Sequence, residues 1–255
     1  MTLMISIQQQ NQFIRDGYLV LPKVLLEQEL LHLRGVTQQQ LATRLDPFEL
    51  EVDVHYPGAP SSKQAPGGGT IRRLLHAYHR HEAYQSRAQN NEILATIQAL
   101  LQAETLLLTP NHHNCIMTKQ PEFSSQTNWH RDTRYWHFNN KYLINAWYAL
   151  GNENTENGGM LILPGSHRWD VDANSLDDSQ FLIEDHHSNQ ARLSLVKPIN
   201  LEAGDCLLFS AHCFHAAGAN TTLDAKYSLV FTYHSAKTHS LPDTKSSILP
   251  SIRLV

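Results

Sequence analysis

After Ala103 the sequence consists of short apolar runs separated by turn residues, and this pattern constrains the fold more than any other feature. Seven runs are visible, at residues 105–109, 115–118, 142–150, 160–163, 192–196, 206–209 and 227–233. Turn sequences such as Asn157-Gly158-Gly159 and Ala203-Gly204-Asp205 lie between them. Many short strands joined by such turns predict a mainly β fold, a sandwich or jelly roll.

The first 103 residues have a different pattern. Apolar spacing predicts helices over 8–16, from 26 toward 45, and over 92–102, together with a strand over 17–21 that Pro22 ends. Residues 57–69 contain three prolines and four glycines and predict an irregular loop, which is either a lid or a surface insertion. We therefore expect one domain over residues 1–255, with 1–103 as mostly helical support and 104–255 as the jelly-roll core.

Composition and charge exclude several classes of function. The net charge of −4 lacks the basic excess that nucleic-acid binding requires, and no apolar run is long enough to span a membrane. Residues 1–10 lack the charged and apolar regions of a signal peptide. The three cysteines form no CxxC pair and predict reduced thiols in a cytoplasmic protein. We expect a small-molecule partner, no nucleic acid and no membrane, while the oligomeric state is not predicted.

The tripeptide His130-Arg131-Asp132 is the first candidate for metal binding. In an extended strand, side chains two residues apart share a face, so His130 and Asp132 can bind one ion. In a chain with 16 histidines such a tripeptide also arises by chance, and a surface pair is the alternative. His215, which follows a strand-like run, is the third candidate ligand. Two imidazoles and one carboxylate leave open positions and suit a non-haem iron(II) that also binds oxygen and a co-substrate.

Two residues near His215 bear on the same site. His212 is the rival third ligand, but three residues earlier in a regular strand it would face the other side. Lys226 opens the next strand-like run. A keto acid that chelates iron at one end would leave its distal carboxylate buried, and a buried charge needs a partner. We expect Lys226 to be that partner.

These motifs belong to a longer series that runs in order along nearly the whole chain. The series comprises residues 16–21, 119–121, 129–132, 146–150, 156–160, 163–167 and 204–220. It resembles the phytanoyl-CoA dioxygenase family of iron(II)/2-oxoglutarate oxygenases. The Asn157-Gly158-Gly159 and Pro164-Gly165-Ser166-His167 blocks, combined with the metal triad, make this resemblance specific.

The resemblance implies a double-stranded β-helix (jelly roll) with iron between its sheets. His130, Asp132 and His215 would be the iron ligands, and Lys119 and Trp147 would line the 2-oxoglutarate pocket. It also implies a dioxygenase that uses iron(II), 2-oxoglutarate and O2, releases succinate, and hydroxylates a small or medium metabolite. Related halogenases lack the carboxylate that Asp132 provides here.

Two positions depart from the family pattern. The family usually has arginine where Lys226 stands, and lysine neutralises a carboxylate but orients it less. The family often has a hydroxyl residue where Ala217 stands, so one hydrogen bond to the co-substrate would be absent. Two other functions stay open: a zinc-type hydrolase or isomerase on the same fold, or a non-catalytic cupin-like binding protein.

Several other basic residues have no pattern of their own. Four arginines are candidates for binding an anionic substrate: Arg72, Arg73, Arg131 and Arg134. For each of them, a salt-bridged or solvated role is the alternative. Five histidines are interpreted as structural or surface residues: His112, His113, His137, His167 and His234.

Overall fold

The computed structural model describes residues 5–255, so the first four residues of the expected signal-free segment 1–10 lie outside it. The helices are α1 (Ile7–Asp16), α2 (Glu27–Ala42), α3 (Ala77–Arg80), α4 (Glu82–Ala88), α5 (Asn91–Leu101) and α6 (His187–Leu193). The strands are β1 (Tyr18–Leu21), β2 (Phe48–Leu50), β3 (Ile71–Leu75), β4 (Leu106–Leu108), β5 (Asn114–Lys119), β6 (Thr127–His130), β7 (Leu143–Ala149), β8 (Met160–Ile162), β9 (Lys197–Pro198), β10 (Cys206–Ser210), β11 (His215–Ala217), β12 (Lys226–Ser235) and β13 (Ile252–Arg253).

The strands form two antiparallel sheets. The larger sheet has the order β1-β10-β7-β12-β5-β3-β2, and β4 joins it through β12 and also pairs with β13. The smaller sheet has the order β6-β11-β8-β9. Apart from β2 with β3 and β8 with β9, neighbouring strands are not consecutive in the chain, as in a jelly roll.

Alternation along β7 and β10 divides the core into two layers. Leu208 and Tyr148 belong to a cluster that includes the buried faces of α1, α2, α4 and α5, so the helices cover one face of the larger sheet. Their neighbours Leu207 and Ala149 belong to a second cluster that also contains Ile162 of β8. Because this second cluster joins both sheets, the two sheets pack face to face.

The predicted N-terminal elements are confirmed by their capping interactions. Ser6 and Gln9 form a reciprocal capping box at the start of α1. Gly17 ends this helix with a φ of 79°, a left-handed conformation that favours glycine, and β1 follows directly. The side chain of Asn90 accepts hydrogen bonds from two backbone N–H groups at the start of α5.

Other parts of the chain differ from the prediction. The strand predicted over 192–196 is wrong, because these residues fall at and after the end of α6. Here the Nδ1 of His186 caps the first turn and Asn189 is fully buried. A short apolar run does not distinguish a strand from a buried helix. Residues 1–103 also contribute β1, β2 and β3 to the larger sheet, in addition to their helices.

The proline- and glycine-rich segment 57–69 is irregular, as predicted, and it packs against the protein. The Pro57 carbonyl accepts a 2.8 Å hydrogen bond from the backbone of Gln126. A Cβ at Gly67 would lie 2.2 Å from the ring of Phe123, so the segment is held closely there. All three cysteines are free and buried. Within residues 5–255, the helices are too short or too polar to cross a bilayer.

Candidate metal centre and its cavity

Strand pairing in the smaller sheet brings the two predicted histidine ligands together. His130 is the last residue of β6 and His215 is the first residue of β11, and the two residues are directly paired in register. Directly paired residues of antiparallel strands project to the same face. The His215 ring also contacts Phe209 of the larger sheet, with 5.2 Å between ring centroids, so this face lies between the sheets.

Asp132 reaches the same point from a short 3₁₀ turn. The strand prediction for the tripeptide holds for His130, but the chain leaves β6 after it, and Asp132 begins the turn Asp132–Arg134. Arg131 is extended, with φ −104° and ψ 138°, which keeps the side chains of His130 and Asp132 on one side.

The three predicted side chains converge on a single point. Oδ1 of Asp132 lies 3.8 Å from Nε2 of His130 and 3.7 Å from Nε2 of His215. All three residues are buried, and one ligand atom of each lies within 4.8 Å of the others. This is the spacing that a shared metal ion requires.

Both imidazoles present a lone pair to that point. Nδ1 of His130 lies 2.8 Å from the Asn128 carbonyl, and Nδ1 of His215 lies 3.1 Å from the Cys213 carbonyl. A carbonyl only accepts, so each Nδ1 carries the proton and each Nε2 is free to bind metal. Burial, and next the neighbouring His215, hold the pKa of His130 well below its usual value, which keeps its ring neutral.

Residues that the sequence analysis missed orient the carboxylate of Asp132. Nδ2 of Asn145 donates a 2.6 Å hydrogen bond to Oδ2, and Thr232 in turn donates to Oδ1 of Asn145 over 2.5 Å. Nε2 of His113 lies 3.5 Å from Oδ1 of Asp132. His113 was interpreted as structural or surface; it borders the metal centre, and no sequence pattern marks it.

The rival histidine lies outside the cluster. His212 is buried, and its Nδ1 lies 2.7 Å from the hydroxyl of Thr133. Among residues 5–255, the side chains that lie close enough together to hold one metal ion are those of His130, Asp132 and His215. The geometry therefore favours His215 over His212 as the third ligand, as predicted. The reason differs, because His212 lies in the turn between β10 and β11 and not in a strand that also contains His215.

The cluster lies in a cavity of about 440 Å³. Its walls include the expected co-substrate residues Lys119, Trp147 and Lys226, together with Ala217. None of residues 57–69 lines the cavity, although Tyr56, which precedes this loop, does. We therefore assign the loop no gating role. A cavity of this size is typical of small-molecule sites.

Lys226, the expected carboxylate anchor, already has a carboxylate partner. Its Nζ donates to Oε2 of Glu153 over 3.0 Å. The same carboxylate accepts from the indole N–H of Trp147, at 3.1 and 3.2 Å, and from the hydroxyl of Ser228 at 2.7 Å. Glu153 is a further residue that the sequence analysis missed.

Lys119 lies beside Lys226, because the two residues are paired in register between β5 and β12. Its ammonium donates to the backbone carbonyl of Ser125. Burial, and next the charge of Arg72, lower the pKa of Lys119 to about 7. Within the described chain, no ion pair involves Lys119.

Three of the four candidate arginines have structural partners. Arg72 and Arg73 pair with Glu49, and Arg72 also pairs with Glu51. Arg131 donates to two backbone carbonyls and stacks on Phe214.

Arg134 differs from these three. It lines the cavity, donates to the hydroxyl of Tyr56 over 2.9 Å and lies over the ring of Phe181. Among residues 5–255, no carboxylate is ion-paired with it. Its charge is therefore available to a ligand.

The donor set fits iron(II): two neutral imidazoles and an oriented carboxylate, all from one side of an open cavity. The co-substrate end fits a keto acid less simply, since the Lys226 charge is already matched by Glu153.

The chain is also similar in sequence to known proteins. Residues 13–227 match the phytanoyl-CoA dioxygenase (PhyH) family. An ectoine dioxygenase from Halomonas elongata is 26% identical over 252 residues, which cover 90% of this chain and 70% of that protein. The peroxisomal phytanoyl-CoA dioxygenase of Homo sapiens is 22% identical over 256 residues, covering 92% and 70%.

A solved structure supports the fold. The non-heme alpha ketoglutarate dependent carbocyclase SnoK, from nogalamycin biosynthesis, superposes with a TM-score of 0.76 at 19% identity, covering 98% of this chain and 97% of that one. The predicted double-stranded β-helix is thus confirmed. Because the family match spans most of the sequence, the chain belongs to the phytanoyl-CoA dioxygenase family, whose members are iron(II)- and 2-oxoglutarate-dependent oxygenases.

Proposed function

We propose that this protein is a dioxygenase that hydroxylates a small or medium metabolite, with His130, Asp132 and His215 as its iron ligands. The carrying observation is the convergence of these three buried side chains within 4.8 Å. Bound iron would supply oxygen activation coupled to decarboxylation of 2-oxoglutarate to succinate. We also propose one domain over residues 1–255 and a cytoplasmic location, which the three free thiols support.

The chain's own residues prepare the site for this chemistry. The carbonyls of Asn128 and Cys213 fix the protonated nitrogens of the two imidazoles. Asn145 holds one oxygen of Asp132, leaving the other directed to the shared point. Lys119 and Trp147 would line the co-substrate end, as the family pattern implies.

The substrate class is inferred from the remaining cavity. A volume of about 440 Å³ must hold both co-substrate and substrate, which favours a compact molecule over a long acyl chain. Arg134 offers an unpaired cation on the wall, so we propose a substrate with an anionic group. The ectoine dioxygenase relatives are consistent with a small substrate.

Binding and product formation test the proposal separately. Anaerobic protein with iron(II) and 2-oxoglutarate should show a weak visible charge-transfer band, and His130→Ala should abolish it. His234→Ala is the matched control, because His234 is a buried histidine bonded to Thr238 and Ser251. Release of succinate from 2-oxoglutarate in the presence of small anionic metabolites should fall in Arg134→Gln. No band and no succinate under any condition would contradict the proposal.

A further inference from the structure

We propose that Glu153 sets the co-substrate selectivity of this protein by neutralising Lys226, so that the distal carboxylate of a keto acid is met by Lys119 instead. This inference rests on the proposed function, since it assumes that a keto acid binds beside the metal centre. It assigns a specificity-determining role to a residue that does not itself line the cavity.

The contacts of Glu153 match those that a co-substrate carboxylate would need. Its oxygens accept from the Lys226 ammonium, the Trp147 indole and the Ser228 hydroxyl. Trp147 and Lys226 line the cavity, so Glu153 lies behind this part of the wall. The Glu153 and Lys226 side chains are only 1% and 2% exposed, so solvent screens their interaction little. The Lys226 charge is therefore balanced by a carboxylate of the protein and not by a ligand.

Lys119 then supplies the net positive charge at this end of the cavity. It is the register partner of Lys226, lines the same wall, and donates to a neutral carbonyl. Nearby Arg72 is matched by Glu49 and Glu51. Although Lys119 and Lys226 both line the cavity, a distal carboxylate would thus meet one uncompensated cation at this end.

Selectivity should be reduced for the same reason. A charged hydrogen bond contributes about 1.5–3 kcal/mol, so each available cation separates a dicarboxylic keto acid from a monocarboxylic one by roughly ten-fold or more. 2-Oxopentanoate lacks the distal carboxylate of 2-oxoglutarate. Because Glu153 matches the Lys226 charge, the ratio of the two dissociation constants should be smaller in this protein than in a site with two free cations.

Calorimetric titration of the anaerobic iron(II) protein with these two keto acids tests the assignment. In Glu153→Gln, where the amide still accepts from Trp147 and Ser228, we expect the 2-oxoglutarate Kd to fall about ten-fold or more. The 2-oxopentanoate Kd should stay within about two-fold, since no charge acts on its distal end. Added 2-oxoglutarate should also raise the Tm of Glu153→Gln more than that of the wild type, because the ligand supplies the counter-ion that Lys226 has lost.

Two further variants keep the outcome decisive. A buried Lys226 without its counter-ion can lose its proton, which would cancel the gain in 2-oxoglutarate affinity in Glu153→Gln. In Glu153→Gln/Lys226→Arg the arginine stays charged, so the gain in affinity should appear there even if Lys226 is neutral in the single variant. Ser228→Ala removes a hydroxyl partner of Glu153 without changing charge, and should affect both keto acids equally.

An unchanged or weaker 2-oxoglutarate affinity in both Glu153 variants would overturn the inference, since Glu153 would then hold Lys226 in place for the ligand. If the wild type binds iron(II) but neither keto acid, the proposed function fails, and that result is distinct from altered selectivity.

Discussion

Asn145 and Asp132 are joined by a 2.6 Å hydrogen bond from the amide Nδ2 to Oδ2, fully inside the protein. Asn145 lies on β7 of the larger sheet, whereas Asp132 follows β6 of the smaller one. The bond therefore couples the position of the candidate iron carboxylate to the packing of the two sheets.

Asn145→Ala should weaken iron(II) binding by about 10–100-fold, the usual cost of removing a partner that orients a metal ligand. Anaerobic metal titration measures this loss. Asn189→Ala is a matched control, because Asn189 is equally buried but donates only to the Ser175 and Ile183 carbonyls. Comparable loss of metal affinity in both variants would show that general destabilisation, and not the orientation of Asp132, is responsible.

His215→Ala should abolish specific iron(II) binding, whereas His212→Ala should retain it. His212 bonds the Thr133 hydroxyl at 2.7 Å, so its removal should lower the free energy of unfolding by about 1 kcal/mol. Metal titration and chemical denaturation of the two variants separate these effects. Retained iron in His215→Ala together with lost iron in His212→Ala would exchange the two assignments.

Sequence reasoning predicted the convergence of the three candidate metal ligands better than the contacts around them. The His-x-Asp spacing and the ordered family motifs are local patterns, and they indicate His130, Asp132 and His215 without a structure. Glu153 is 73 residues from its partner Lys226, and the contact depends on how the chain between β7 and β8 meets β12. No periodicity or spacing encodes such a contact.

The same limit explains why the sequence did not predict helix α6 or strands β2 and β3. Their apolar runs are three to five residues long or lack alternation, as the burial of Ile71–Leu75 illustrates. Tertiary packing decides the conformation of such runs. Capping residues, by contrast, act within one turn, and the boundaries set by Gly17 and Asn90 were therefore close to those predicted.

2-Oxoglutarate affinity should fall as the pH rises above about 7. The charged groups that face Lys119 are Arg72, Glu51 and Lys226, and burial together with the two cations lowers its pKa to about 7. Only the protonated ammonium pairs with a carboxylate, so above this pH binding must take up a proton, and the Kd should rise up to about ten-fold per unit.

Calorimetry between pH 6 and 8.5 measures this dependence, at pH values chosen on either side of the Lys119 pKa of about 7. Lys119→Met should bind 2-oxoglutarate weakly throughout and show a flat profile. Binding of 2-oxopentanoate should be nearly independent of Lys119. A flat wild-type profile would remove Lys119 from the role of carboxylate partner.

Gly158→Ala should destabilise the protein and weaken co-substrate binding together. Gly158 has a φ of 76°, and a Cβ there would lie 2.8 Å from the Gly218 carbonyl and 3.2 Å from Cδ of Lys119. A left-handed alanine costs roughly 1–3 kcal/mol, and the crowding displaces the lysine that lines the cavity. Denaturant unfolding and calorimetry measure both effects. Gly151→Ala is the control, since no atom lies within 4 Å of its added Cβ; equal effects in the two variants would mean that crowding of Lys119 contributes nothing.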